Sequence, residues 1–264
     1  FTGGMQKAEM RGRTPVIGAE NLTSKVSEIA DRLYQHPSSK LKIIGITGTN
    51  GKTSCSQFIA NALQGLGYKC GIMGTLGCGV PGSLEPSALT TPDAVFSQKT
   101  LAEMVDKNFE YVSMEVSSVG LDQKRVEAIE FDTAVFTNLT RDHLDYHQSM
   151  EEYAESKRKL FKWPTLKSAI LNLDDDFALS LINSVPKEVE ILTYSLSNHH
   201  ASVFSEGLTF SSSGYSAIIN TPIGTMDLSG KLLGHFNISN VLAVITTLIS
   251  LLSREGKGYI DLVK

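Results

Sequence analysis

Residues 42–53 read Lys42-Ile43-Ile44-Gly45-Ile46-Thr47-Gly48-Thr49-Asn50-Gly51-Lys52-Thr53. The first six have the apolar character of a buried strand, and they run directly into glycines. From Thr53 the period changes. Phe58, Ile59, Ala62, Leu63 and Leu66 recur at helical spacing, and Gly67 suits the C-terminal cap. A strand, a glycine-rich turn and a helix in that order converge backbone N–H groups on an anion, and the helix N-terminus adds a positive field. Gly48, Thr49, Asn50 and Gly51 form the expected cradle. Lys52 supplies a charge for β- and γ-phosphates, and the Thr53 hydroxyl is placed for Mg²⁺. The stricter G-x-x-x-x-G-K-[ST] pattern is not met, because Ile46 stands where its first glycine belongs; G-x-x-G-K-T remains.

The same alternation continues outward. Residues 69–74, 111–116, 133–137 and 168–173 read as short strands, with helices over 92–107 and 151–161. This predicts an α/β fold, a P-loop-type and mostly parallel sheet with helices on both faces. Residues 77–87 read as a Gly/Pro-rich loop. The segments 203–210, 215–220 and 225–228 read as a small antiparallel hairpin unit near the C-terminus, and a helix over 237–252 closes the core. At the front, a helix over 22–34 carries Val26, Ile29, Ala30 and Leu33 on one face and ends at His36-Pro37-Ser38-Ser39. Residues 1–14 are polar and read as a linker or an expression scar. The expected division is therefore a linker and helix over 1–40 and one nucleotide-binding domain over 41–264.

Composition narrows the function classes. The 264 residues correspond to roughly 1.8 domains at usual sizes. Apolar residues make up 41%, and 24 basic against 28 acidic side chains leave a net charge of −4. That balance suits a soluble globular chain and lacks the basic excess of a nucleic-acid binder. Cys55, Cys70 and Cys78 are odd in number and lack metal-type spacing, so a reducing cytoplasm is expected rather than a disulfide framework. Lys7, Arg11 and Arg13 precede no apolar leader. The most apolar stretch, 241–252, is too short to cross a bilayer and reads as a buried helix, so no membrane role is expected. Asp227-Leu228-Ser229-Gly230 fits the D-x-x-G of nucleotide switches, but no N-K-x-D guanine motif accompanies it.

Glu115 ends an apolar strand, where an open α/β sheet places its ligands. A buried acid there needs a partner or a metal. Behind it lie Ser117, Ser118, Gln123 and Arg125. Further on stands Thr137-Asn138-Leu139-Thr140-Arg141-Asp142-His143-Leu144-Asp145-Tyr146-His147. With the G-T-N-G-K-T loop, these strings closely resemble the Mur ligases of bacterial peptidoglycan synthesis, above all the members that add the third amino acid of the peptide. The likeness runs from about residue 15 to the chain end.

The resemblance implies an ATP-dependent amide ligase. ATP phosphorylates the carboxylate of a UDP-muramoyl-dipeptide, and an amino acid attacks the acyl phosphate. It implies ATP and Mg²⁺ as cofactors, with Lys52, His143 and Lys157 as catalytic residues. Thr53, Glu115 and His143 are implied as metal ligands. Lys157 is implied to be carbamylated, which turns a cation into an anion able to support Mg²⁺. Asn237 and Asn240 match the nucleotide-side start of a helix; Thr90, Thr91, Ser117, Gln123 and Arg125 match contacts to the UDP-muramoyl-peptide. Asp142, Asp145 and His147 either orient His143 or cap the next helix. Val119 departs from the family, where histidine is common. The likeness covers only the central ATPase of a three-domain family, so a truncated central domain with little activity alone is expected. Folylpolyglutamate synthase is the nearest enzymatic alternative, and a non-catalytic nucleotide-binding module the other. The residues leave meso-diaminopimelate and L-lysine both open as the added amino acid.

Overall fold

The apolar run quoted above is the central strand of the sheet. The computed structural model describes residues 8–17, 21–212 and 214–256. A hairpin of β1 (Ala8–Arg11) and β2 (Thr14–Ile17) occupies part of the stretch read as linker; residues 1–7 lie outside the described residues. Helix α1 (Leu22–Leu33) follows, then a short 3-10 turn, Pro37–Lys40. The core then runs β3 (Lys42–Thr47), α2 (Lys52–Gly65), β4 (Cys70–Gly74), β5 (Gly77–Val80), β6 (Ser83–Glu85), α3 (Ala94–Asp106), β7 (Tyr111–Glu115), α4 (Ser118–Asp122) and β8 (Phe131–Phe136). It continues with α5 (Met150–Arg158), β9 (Ser168–Asn172), α6 (Phe177–Ile182), β10 (Glu190–Ser195), β11 (Val203–Ser211), β12 (Gly214–Thr221), β13 (Gly224–Gly230) and α7 (His235–Arg254).

These strands form one eleven-stranded sheet in the order β13-β12-β11-β10-β9-β8-β3-β7-β4-β5-β6. From β11 to β4 every neighbouring pair is parallel. Alternate residues of the central strands enter two separate cores. Ile43, Val112, Met114, Phe136 and Leu171 face α3, α4 and α6. Ile44, Ile46, Val135 and Ile170 face α2 and α7. Burial on both faces is why these strands read as continuous apolar runs rather than alternating ones. The chain moves from β3 to β4 and β7 on one side, then crosses to β8 on the other. The strand order thus reverses beside β3, where an open α/β sheet forms its ligand crevice.

The antiparallel hairpin unit is present as β11–β13 and continues the main sheet, because β11 pairs parallel with β10, with Tyr194 opposite Val203. Three expectations change. The Gly/Pro-rich loop contains β5 and β6, the other antiparallel margin. Gly77 has φ +125°, and a Cβ there would lie 2.3 Å from the Glu85 carbonyl oxygen, so a strand that needs glycine escapes apolar periodicity. On α1 the buried stripe is Ser27, Ala30 and Asp31, while Ile29 and Leu33 are exposed. The Ser27 hydroxyl accepts the Ala128 amide at 3.0 Å, which turns that polar stripe inward. Finally, α7 has 20 residues, so length does not exclude a membrane span; it is instead mostly buried as the core helix under β9–β11.

The end of α7 is clamped to the starts of the central strands. Arg254 donates to both oxygens of buried Asp132, at 3.2 and 2.6 Å, and Lys167 reaches the same carboxylate at 3.1 Å. Glu255 accepts from Lys42, from the Tyr111 hydroxyl and from the Tyr68 hydroxyl. Burial alone would raise the Asp132 pKa, but hydrogen bonds and charge from Arg254 and Lys167 hold it below the usual carboxylate value. Its folded-state pKa therefore lies below the unfolded one. The stabilisation is complete above the unfolded value near 3.8 and is lost as pH falls through the folded value. Asp132→Asn should cost about 3 kcal/mol at pH 7. Urea midpoints measured from pH 5 to 2 should fall less steeply for Asp132→Asn than for the parent; parallel slopes would contradict the clamp.

Candidate nucleotide site

The site begins where β3 ends. Gly48 has φ +151°, and a Cβ there would sit 1.9 Å from the Thr137 hydroxyl. Gly51 has φ +86°, and its Cβ would meet Asn240 Oδ1 at 2.5 Å. Both positions therefore need glycine, for conformation and for space. Helix α2 starts immediately at Lys52. The amides of its first turn have no partners within the helix and face the loop. Gly67, at φ +88°, closes the helix: its amide donates to the Gln64 carbonyl, and that of Tyr68 to the Leu63 carbonyl.

The loop is clasped by the segment after β8. The Thr49 amide donates to the Asn138 carbonyl at 2.8 Å. The Asn50 amide donates to Asn138 Oδ1 at 2.9 Å, and Asn138 Nδ2 returns a bond to the Asn50 carbonyl at 3.2 Å. The Thr137 hydroxyl donates to that same carbonyl at 2.6 Å. On the other side, Asn240 of α7 abuts Gly51 and accepts from the buried Cys55 thiol.

Two lysines meet at the loop. Lys52 Nζ donates to the Gly48 and Thr49 carbonyls, both at 2.8 Å. Lys157 Nζ, on α5, donates to the same Gly48 oxygen at 2.9 Å. Lys157 is 1% exposed, and its ammonium lies 4.3 Å from the centre of the Tyr153 ring. Burial, and then the charge of Lys52, holds its pKa well below the usual lysine value. Burial also lowers that of Lys52, against the pull of Glu115 and Asp142.

Glu115 ends β7 and is 1% exposed. Thr53 Oγ1 donates to it at 2.9 Å. Thr75 adds its amide at 2.9 Å and its hydroxyl at 3.2 Å. An ordered hydroxyl beside a carboxylate is an oxygen-donor pair that suits Mg²⁺. His143 lies on the segment between β8 and α5. Its ring stands edge-on to Tyr153 at 5.9 Å, 3.7 Å from an Asp142 oxygen, with its side chain 44% exposed and its φ at +52°. Among the described residues no three His, Cys, Asp or Glu side chains converge as a metal centre. Of the expected ligand set, Thr53 and Glu115 touch, Lys157 lies on the loop carbonyl, and His143 stands on the segment after β8. Asp142 accepts the His143 amide at 2.8 Å, and His147 is buried beneath Tyr146 and Tyr153.

The expected substrate contacts connect to Glu115 through Thr75 and Thr91. The Thr90 hydroxyl accepts from Thr75 at 3.0 Å. Thr91 is fully buried: its hydroxyl donates to the Glu115 carbonyl and accepts the Ser117 amide. Its side chain braces the end of β7 against the start of α4. Ser117 caps α4 through the Gly120 amide. Arg125 donates to the Thr91 carbonyl at 2.8 Å and to Gln123 Oε1. Asn237 bonds back to the Leu233 carbonyl at 2.8 Å and is half-buried at the start of α7, while Asn240 faces the loop. The D-x-x-G string lies in edge strand β13. Sequence reasoning gave no role to Thr75, Thr137, Asn138 or Tyr153. Only Thr137 and Asn138 carried a signal, as polar residues at the carboxyl end of a parallel strand.

Comparison with known proteins places this architecture. The family described as Mur ligase middle domain matches residues 46–248. The UDP-N-acetylmuramoyl-L-alanyl-D-glutamate–2,6-diaminopimelate ligase of Pseudomonas aeruginosa is 49% identical over 237 residues, which is 90% of this chain and 48% of that protein. The enzyme of the same name from Coxiella burnetii is 45% identical over 240 residues, covering 89% and 49%. A solved structure of a ligase of that name superposes with TM-score 0.81 at 35% identity, covering 91% of this chain and 50% of the other. Folylpolyglutamate synthase from L. casei shares the fold at TM-score 0.74 and 15% identity. The chain spans about half the length of the curated relatives it matches. A loop with two lysines on one carbonyl, a hydroxyl–carboxylate pair beside it, and a family match over most of the chain lead to one conclusion: this chain belongs to the Mur ligase family and carries its middle domain.

Proposed function

We propose that this chain is the phosphate-handling part of a ligase that joins an amino acid to UDP-MurNAc-L-Ala-D-Glu at the expense of ATP. The convergence of Lys52 and Lys157 on the Gly48 carbonyl, beside the Thr53–Glu115 pair, carries the reading. The relatives at 45–49% identity are named for that substrate and for 2,6-diaminopimelate, which favours diaminopimelate over L-lysine. A setting in the cytoplasm agrees with three buried, unpaired thiols.

The chemistry follows from the charges. Transfer of a γ-phosphoryl group to a carboxylate brings two anions together, so cations must dominate the site. Lys52 and the α2 amides would hold the β- and γ-phosphates once Lys52 leaves the loop carbonyls. Thr53 and Glu115 would hold Mg²⁺, which when bound supplies charge neutralisation between the phosphate and the acceptor. Thr90, Ser117, Gln123 and Arg125 lie beyond Glu115, on the side where the muramoyl-peptide carboxylate would approach. The amine then attacks the carbonyl carbon of the acyl phosphate; the C–O bond to phosphate breaks, inorganic phosphate leaves, and the nitrogen loses one proton to give the amide. His143 would join from its loop. Lys157 suits carbamylation: burial favours its neutral amine, whose lone pair can bond to the carbon of CO₂ with loss of one proton to water. The resulting anion would lie beside Lys52, which offsets its cost.

Calorimetry with Mg-ATP should show binding by the parent chain and at least about tenfold weaker binding by Lys52→Ala, the loss of one charge-assisted contact. Equal affinities would remove the loop from the proposal. Gly48→Ala should lower stability by about 2–3 kcal/mol in thermal melts and abolish nucleotide binding, because the new methyl displaces Thr137 from the loop. In a protein that also carries the remaining half of its relatives' length, phosphate release should depend on UDP-muramoyl-dipeptide and diaminopimelate and not on a folate. Under ¹³C-bicarbonate, NMR should show a carbamate carbon that Lys157→Met lacks; the same signal in both would place the carbamate elsewhere.

A further inference from the structure

The turn between β9 and α6 holds two side chains that no assignment above uses. Asn172 is buried; its Nδ2 donates to the Thr137 carbonyl at 2.7 Å, and its Oδ1 accepts the Asp174 amide at 3.0 Å. Asp175 divides its carboxylate. Oδ1 accepts the Phe177 amide at 3.0 Å and so begins α6. Oδ2 accepts the Leu139 amide at 2.7 Å, across 36 residues of sequence. Asn172 and Asp175 therefore grip the backbone on either side of Asn138, the residue that clasps Thr49 and Asn50.

We infer that Asn172 and Asp175 are positioning residues for the phosphate loop, acting through Thr137, Asn138 and Leu139 without touching the nucleotide. The inference rests on the nucleotide reading above. A glycine-rich loop has little stiffness of its own, so its amides converge only if a neighbour fixes them. Asn138 supplies three of the bonds that do so, yet it sits on an irregular segment that must itself be fixed. A carboxylate on a backbone amide is a charge-assisted bond, stronger than a neutral one, and the 2.7 Å separation fits it. Starting α6 requires only Oδ1. The second oxygen serves nothing within its own turn that the Leu139 bond does not explain.

Asp175→Ser separates the two roles. A serine hydroxyl can still accept the amide two residues on, but it is too short to reach Leu139. Calorimetry of the chain with Mg²⁺ and a non-hydrolysable ATP analogue should show about tenfold weaker binding by Asp175→Ser, with the nucleotide-free melting temperature within about 2 °C of the parent. In a double variant with Lys52→Ala, affinity should fall no further than in Lys52→Ala alone, because both act through one loop. Parent-like affinity of Asp175→Ser, or full additivity in the double variant, overturns the inference. Should Asp175→Ser fail to fold, hydrogen exchange at the Leu139 amide of the parent decides: protection like that of the strand amides supports the contact, and exchange at loop rates overturns it. A parent chain that binds no nucleotide overturns the proposed function itself, and this inference with it. A parent that binds, beside an unaffected Asp175→Ser, overturns the inference alone.

Discussion

Two lysine amines on one carbonyl oxygen are the constraint around which the rest of the site is organised. The Gly48 oxygen accepts Lys52 at 2.8 Å and Lys157 at 2.9 Å. Two like charges so close, one of them fully buried, are costly unless one amine is neutral or an anion joins them. Burial and the charge of Lys52 push the Lys157 pKa in the direction of the first condition. A phosphate group would answer the second. The loop thus gathers positive charge, and Lys52 rests on two of its own carbonyls. Holding that arrangement requires a loop that cannot relax: Thr137 and Asn138 fix it, and the two glycines leave the room for Thr137 and Asn240 to approach.

Rigidity is carried further by a closed frame. Strand β3 runs into the loop at one end, and its first residue, Lys42, meets Glu255 at the other. Strand β8 runs into the clasping segment and begins beside Asp132, which Arg254 holds. Helix α7 spans the same distance on one face, from Asn240 against Gly51 to Arg254 at the clamp. A shift of α7 along its axis would have to break a buried ion pair or push Asn240 into the loop. Such coupling lets an apolar helix serve as a brace for a polar site while it supplies a core.

What was legible in the sequence was whatever one period or one contiguous string could carry. The strand–loop–helix, the buried parallel strands and the residues Lys52, Thr53, Glu115 and Lys157 all stand in such strings, and the structure gathers them round one loop. Strand β5 was hidden because its glycines answer to backbone approach, not to burial period. The inward face of α1 was misread because a serine bonded to a distant amide outweighed two larger apolar side chains. The clasp residues Thr137 and Asn138 stood inside a quoted string, but their partners lie 87 and 88 residues away, a distance no local pattern encodes. His143 stands in the same string, and its ring packs edge-on to Tyr153.

The environment of Glu115 shows why a buried acid can wait for a cation. Its donors, the hydroxyls of Thr53 and Thr75 and the Thr75 amide, are all neutral. A paired ammonium would also satisfy the carboxylate, but displacing it would leave a second buried charge to accommodate. A hydroxyl can turn and offer its oxygen lone pairs to a metal in place of its proton, since it both donates and accepts. Thr53 can therefore pass from donor to ligand without moving its backbone. Thr75 carries the same chain of hydrogen bonds outward to Thr90. Gly74 leaves room for this: a Cβ there would fall 2.1 Å from Glu115 Oε1. The carboxylate is thus oriented by hydrogen bonds and by a missing side chain, and neither opposes the arrival of a hard cation.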